Sequence, residues 1–231
     1  MKRFFAFAAS AVIALSFVVF PFAANAEREC RVFSHGQPGS GRIALTFDDG
    51  PNPHLTPEIL DILGENNVKG TFFVVGKNAE AYPALIDREI AAGHEIGNHT
   101  YSHKYLGKAG TQLTEDEITA CDSRKYEHGE YCTRVFRPPG GIMNDDILRV
   151  CRTLGYSVVL WSVDTRDWSG RSAAEIESEI LGHVTDGAVI LMHDGVRGHT
   201  AEALRTVIPE LRRRGYEFVT VSELIKPGIP N

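Results

Sequence analysis

The chain has 231 residues, enough for one substantial domain with its own core. It carries 24 Lys+Arg against 30 Asp+Glu, a formal charge of −6, which excludes the broad basic footprint of a nucleic-acid binder. The run Arg212-Arg213-Arg214 reads as the solvated end of a helix, where cations complement the dipole.

Lys2 and Arg3 precede an apolar stretch over 4–20, and Ala24-Asn25-Ala26 follows as a small-x-small cleavage site. This is the pattern of a secretory signal peptide over 1–26, cut after Ala26, and it predicts an exported protein of the periplasm, cell envelope or extracellular space. An uncleaved anchor is the rival, because the apolar run approaches spanning length. The cleavage site favours removal, which leaves no stable membrane anchor. Residues 27–41 read as a short lead-in.

Strand-like and helix-like segments then alternate. A strand is expected over 42–47. A helix over 56–67 opens with Thr56 as cap and Pro57 in its first turn. A β-branched and aromatic strand covers 68–76, and a helix 79–93 ends on Gly93. A short strand and turn follow in His94–His99. Thr114 with Glu117 three residues on reads as a capping box opening a helix over 114–127. Val135-Phe136 leads as a strand into a Pro-Gly turn, and Asn144 caps a helix over 144–155. A strand over 156–163, a helix over 172–184, a strand over 187–194, a helix over 200–215 and a last strand over 216–221 complete the chain. Such alternation predicts an α/β fold with parallel strands, and the continuous apolar runs suit strands covered by helices. Polar clusters gather just after the strands, where sites form in parallel α/β folds.

Asp48-Asp49-Gly50-Pro51 follows the first strand. Read alone it is a turn. His99 and His103 are four apart and share a face if helical, so both imidazoles can reach one ion. Two histidines and a carboxylate make a catalytic divalent-metal pattern. The other reading is a pair of surface or capping histidines, and His94 reads as structural. With a metal, the paired aspartates divide: one ligates the ion and the other serves as general base on a water activated by it. Arg137 sits in Arg-Pro-Pro-Gly-Gly and can fix a carboxylate. Asp164 and Asp167 flank a turn with Trp168, an aromatic wall. His193 ends a buried strand and suits a general acid if a carboxylate such as Asp167 keeps it protonated.

Cys30, Cys121, Cys132 and Cys151 all lie beyond the leader, where export permits disulfides. They allow three full pairings, with Cys121–Cys132 preferred across the polar stretch between them. None has the CxxC spacing of a cysteine zinc site.

Taken together, TFDDGP (46–51), HTYSH (99–103), RPPGG (137–141), DTRDW (164–168) and LMHD (191–194) resemble, in order, the five motifs of the polysaccharide deacetylase family, carbohydrate esterase family 4. The resemblance implies a distorted (β/α) barrel with fewer than eight regular units, with a catalytic domain over 42–226 and a short tail over 227–231. It implies metal-dependent removal of acetyl groups from N-acetylated amino sugars in a polysaccharide. Asp49, His99 and His103 would be the metal ligands, with zinc first and cobalt or another divalent ion next. Asp48 would be the general base and His193 the general acid. Arg137 would orient Asp48, and Asp167 would orient His193. Trp168 and Leu191 would wall the acetyl methyl, and the Gly141 N–H would hold the oxyanion. Family members often carry an aromatic residue at that last position. Peptidoglycan is the first expected substrate and chitin oligomers the second. A catalytically silent, metal-bearing glycan-binding protein and a metal-dependent phosphoesterase are the readings from other classes. No P-loop-type phosphate cradle supports the latter.

Overall fold

The computed structural model describes residues 30–126 and 134–226. The expected leader and tail, and Cys132 of the preferred Cys121–Cys132 pairing, therefore lie outside the described residues. Among the described residues, no helix is long and apolar enough to cross a membrane.

Among the described residues, nine strands and eight α-helices follow one another: β1 (Val32–Phe33), β2 (Arg42–Asp48), α1 (Leu55–Glu65), β3 (Thr71–Val74), α2 (Gly76–Ala81), α3 (Pro83–Ala91), β4 (Glu95–Asn98), α4 (Gly110–Tyr126), β5 (Val135–Phe136), α5 (Asp145–Leu154), β6 (Ser157–Val159), β7 (Val163–Asp164), α6 (Ala173–His183), β8 (Val189–His193), α7 (Thr200–Arg213), β9 (Glu217–Phe218) and α8 (Val221–Ile225). The strands run in the order β1-β6-β5-β4-β3-β2-β8-β7, all parallel, and β9 pairs with the start of β2.

That order forces curvature. β6 lies next to one end of the sheet and β7 at the other, yet only residues 160–162 join them. A link that short reaches about 13 Å at most. The two ends must therefore meet, and the sheet curls into the distorted, incomplete barrel that the sequence predicts. A bridge from His35 to Ala188 ties the β1 end back to β8.

Period-two alternation sorts the strand residues. Along β2, Ile43, Leu45 and Phe47 join the large core under the helices, while Ala44 turns inward with Phe73, Val159 and Val189. The inward set continues through Thr46 to Asp48. Along β8, Val189 is inward, so Leu191 and His193 follow it. Register pairs Thr46 with Leu191 and Asp48 with His193. The barrel interior thus ends, at the carboxyl side, in an acid and a histidine facing each other across neighbouring strands.

Several local expectations change. Thr56 does not cap α1, which starts at Leu55. Its hydroxyl instead donates to Asp194 at 2.5 Å and accepts from the Asn52 N–H at 2.8 Å. The helix expected over 79–93 breaks at Tyr82, because Pro83 can open a helix but not continue one. The capping box at Thr114 is absent. α4 begins at Gly110, Thr114 donates back to the Gly110 carbonyl, and Glu117 takes the Ser102 N–H and hydroxyl. Asn144 does cap α5, accepting from the Ile147 N–H at 2.8 Å. The strand over 156–163 divides into β6 and β7 at the barrel closure. The strand over 216–221 stops at Phe218, and Thr220 with Glu223 forms a capping box for α8. The lead-in holds β1, which is paired to β6.

Candidate active site

Five loops at the carboxyl ends of the strands enclose a cavity of about 370 Å³. Asp48, Asp49, His99, His103, Trp168, Leu191 and His193 line it, as the motifs predict.

The two aspartates diverge for a reason other than an extended backbone. Asp48 is the last residue of β2, but Asp49 is left-handed, with φ 72°, ahead of a cis Gly50-Pro51 bond. Asp49 then lies beside His99 and His103. The histidines converge by a loop rather than a helix, since Thr100 (φ 68°) and His103 (φ 56°) are also left-handed. Non-glycine residues in this region are costly and cluster where structure serves function. Asn98 holds the loop: its side-chain oxygen accepts from the Thr100 N–H at 2.9 Å, and its amide donates to Asp122 and to the Ile118 carbonyl.

Asp49 Oδ1 lies 3.4 Å from His99 Nε2 and 3.0 Å from His103 Nε2. The three side chains bring one ligand atom each within 4.8 Å of one another. Burial works against the Asp49 carboxylate, but the two imidazoles hold its pKa well below the usual range. The donor set fits a divalent cation. His99 Nδ1–H donates to the Arg137 carbonyl at 2.7 Å, which leaves the Nε2 lone pair facing Asp49. Asp49 Oδ1 is buried without a hydrogen-bond donor of good geometry. Two imidazoles, a carboxylate and access to a cavity match a catalytic metal centre with an open position.

Asp48 is held from the other side. Arg137 Nη1 donates to Asp48 Oδ1 at 2.7 Å and to the Thr46 hydroxyl at 2.9 Å. The rest of the fully buried guanidinium donates to the carbonyls of Val159 (3.0 Å) and Leu160 (3.1 Å), and it stacks 4.1 Å from the Phe73 ring. Burial lowers the Arg137 pKa and Asp48 opposes that shift. Each of its three nitrogens therefore has an acceptor, as a buried cation requires.

His193 forms the second pair. Its Nδ1–H donates to Asp167 Oδ1 at 2.7 Å. Asp167 also accepts from the His193 N–H, the Thr200 hydroxyl and the Trp168 N–H, so four donors fix one carboxylate. Burial alone would lower the His193 pKa, but Asp167, with Asp48 and Asp49 farther off, pushes it up to about 9. His94 accepts from the Gly70 N–H and is lowered to about 4 by burial and by Lys69, a structural histidine as its position suggests.

One expected residue is placed differently. The Gly141 N–H donates to the Pro138 carbonyl at 2.9 Å within a tight 3-10 turn, so it is not directed at a substrate. Gly140, one residue earlier, lines the cavity instead. Gly141 has φ 66°, and a Cβ there would meet the Trp161 ring at 2.7 Å. Its glycine keeps Trp161 against the pocket floor. Tyr105, Gly140, Trp161, Asp164 and Val196 also line the cavity beyond the expected set. Tyr105 lies two residues past His103 with its ring edge-on to that imidazole, and Asp164 closes β7, so both sit beside recognised motifs. Val196 likewise lies two residues past the end of LMHD, whereas Trp161 carries no such signal.

A parallel α/β barrel with a candidate metal triad between an arginine-held aspartate and an aspartate-held histidine defines a class of hydrolytic site. The family model for polysaccharide deacetylases matches residues 35–159, and the chain belongs to this family. It is 42% identical over 183 residues to the peptidoglycan-N-acetylglucosamine deacetylase PgdA of Listeria monocytogenes, covering 79% of this chain but 38% of that protein. A chitooligosaccharide deacetylase of Bradyrhizobium sp. is 38% identical over 200 residues, covering 80% of this chain and 91% of the relative. The crystal structure of the Bc1960 peptidoglycan N-acetylglucosamine deacetylase superposes with a TM-score of 0.83 at 37% identity, over 87% of this chain and 95% of that one.

Proposed function

We propose that this protein is a metal-dependent N-deacetylase of exported acetylated amino-sugar polysaccharide, with the N-acetylglucosamine of peptidoglycan as its first substrate. The observation that carries this reading is the register pairing of Asp48 with His193 at the mouth of the barrel, each held by its own buried partner. A base and an acid set on either side of one ligand triad suit the hydrolysis of an amide, which needs water deprotonated and an amine protonated.

Asp49, His99 and His103 would hold the cation, zinc first and cobalt next. Once bound, it supplies Lewis-acid polarisation of a carbonyl and lowers the pKa of water. Asp48, held in place by Arg137, takes a proton from the attacking water. His193 enters protonated and gives its proton to the leaving amine, and Asp167 stabilises the imidazolium until then. The Gly140 N–H is the backbone donor for the oxyanion, in place of Gly141. Trp168, 57% exposed, and the buried Leu191 wall the acetyl methyl. Acetate and a free amino sugar result.

The chain spans 38% of the Listeria relative's length, and the likeness to a chitooligosaccharide deacetylase supports chitin oligomers as the second substrate. A silent glycan binder would not need both buried partner pairs. The test is acetate release from peptidoglycan and from N-acetylglucosamine oligomers, with and without chelator. Release that ignores the chelator sinks the metal-dependent reading, and binding without release on either substrate favours the silent one.

A further inference from the structure

Two cysteines outside the active site come together at the edge of the sheet. Cys30 directly precedes β1, and Cys151 lies in the last turns of α5. The Val158 N–H donates to the Arg31 carbonyl at 2.8 Å, and Val32 pairs with Val158. Cys30 is therefore set beside the strand that α5 feeds. The Tyr156 N–H donates to the Cys151 carbonyl at 2.8 Å and turns the chain from α5 through left-handed Gly155 into β6. Cys151 is fully buried in a cluster with Phe136, Ile147 and Val158, and half-buried Cys30 packs against that cluster. Both thiols are free, and the Cys151 side chain is close enough to perturb that of Cys30.

We propose that Cys30 and Cys151 form a reactive dithiol that closes to a disulfide by exchange with a disulfide oxidant, Cys30 attacking and Cys151 resolving. The roles follow from access and charge. Only Cys30 reaches solvent. The Cys151 side chain lowers the Cys30 pKa against burial, with help from the Arg152 charge, whereas Cys30 and burial raise Cys151. Thiolate character is what makes a cysteine nucleophilic.

In the first step the Cys30 thiolate attacks one sulfur of the oxidant, forming a mixed disulfide and releasing the oxidant's other half as a thiolate. Cys151 then loses its proton and attacks the Cys30 sulfur, expelling the second half. The protein dithiol is oxidised by two electrons and the oxidant's disulfide is reduced to two thiols. The product ties a two-residue edge strand to α5 and closes a loop of roughly 120 residues, which restricts the unfolded chain.

The experiment incubates the reduced, folded full chain with oxidised glutathione, blocks free thiols by alkylation and maps the peptides by mass spectrometry. Wild type is expected to yield a Cys30–Cys151 cross-linked peptide. Cys151→Ser, or Cys151→Ala if the serine disturbs the core, is expected to stop at glutathione on Cys30. Cys30→Ser is expected to leave Cys151 unmodified while circular dichroism shows it folded. Reductant should lower the Tm of oxidised wild type by several degrees and leave Cys30→Ser unmoved. The proposal is overturned if both thiols of oxidised wild type remain open to alkylation. It is overturned equally if Cys30 links to Cys121 or Cys132, or if glutathione appears on Cys151 of folded Cys30→Ser. None of these readouts depends on deacetylase activity.

Discussion

Two carboxylates at opposite ends of the barrel, Glu95 and Asp49, are treated in opposite ways. At the amino end, Glu95 is buried but complete: Oε2 accepts from the Thr71 hydroxyl at 2.8 Å and the Ser222 N–H at 3.0 Å, and Oε1 accepts from the Ser222 hydroxyl. Around it Val219, Val221 and Leu224 of the α8 region plug the interior with apolar atoms. At the carboxyl end, Asp49 is left with a buried oxygen that no donor satisfies well, on a backbone of unfavourable φ. A group that is closed by its own chain serves stability. One that the fold pays to leave open awaits a ligand.

This contrast can be broken at either end. The largest expected effect is on Asp48. Asp48→Asn keeps the shape but cannot take a proton, and kcat/KM for acetate release should fall by about 10²–10⁴-fold; Tm should fall as well, because the buried Arg137 loses its carboxylate partner. Retention of full activity would remove Asp48 from the base role. Chelation comes next. Activity should fall to background and return with added zinc or cobalt, and Tm should drop, because a cation that binds only the folded triad stabilises it. An unchanged Tm on chelation and reloading would argue against Asp49, His99 and His103 as the binding site.

Asp167→Asn should act through pH. The folded pKa of His193, about 9, lies above its unfolded value of about 6.5. The protonated imidazolium therefore adds stability that is full below about pH 6.5 and fades as pH rises towards 9. The alkaline limb of kcat/KM should sit near that upper value and move down in the variant. An unmoved limb would separate Asp167 from the acid. Smallest is a change at the opposite end. Thr220→Ala removes the α8 cap and should cost about 1 kcal/mol of stability without altering kcat/KM.

How legible the site was depended on what kind of fact was needed. Residue identity was readable: the five motifs lie at strand ends, and strand ends converge in a parallel barrel. Conformation was not. The convergence of His99 and His103 suggests a helix by its spacing of four, but left-handed turns at Thr100 and His103 produce it, and nothing in Thr or His announces φ above zero. Gly141 shows the same gap. Its motif marks a backbone donor, yet only coordinates reveal that the 3-10 turn commits the Gly141 N–H and presents Gly140 to the cavity. For the fold, long apolar segments gave the alternation. The break at Tyr82-Pro83 and the division of 156–163 depended on proline sterics and on barrel closure, which a linear pattern does not carry.

Arg137 has a consequence beyond holding a carboxylate. Its acceptors include Val159, the last residue of β6, and Leu160, the first residue of the short link that joins the sheet's two ends. One guanidinium therefore clasps the seam and aims the base. A lysine there would have a single ammonium in place of a planar fork and could not satisfy these partners together. Opening the seam and releasing Asp48 are the same event, so a partly unfolded molecule that has lost this clasp would also lose the placement of its proposed base.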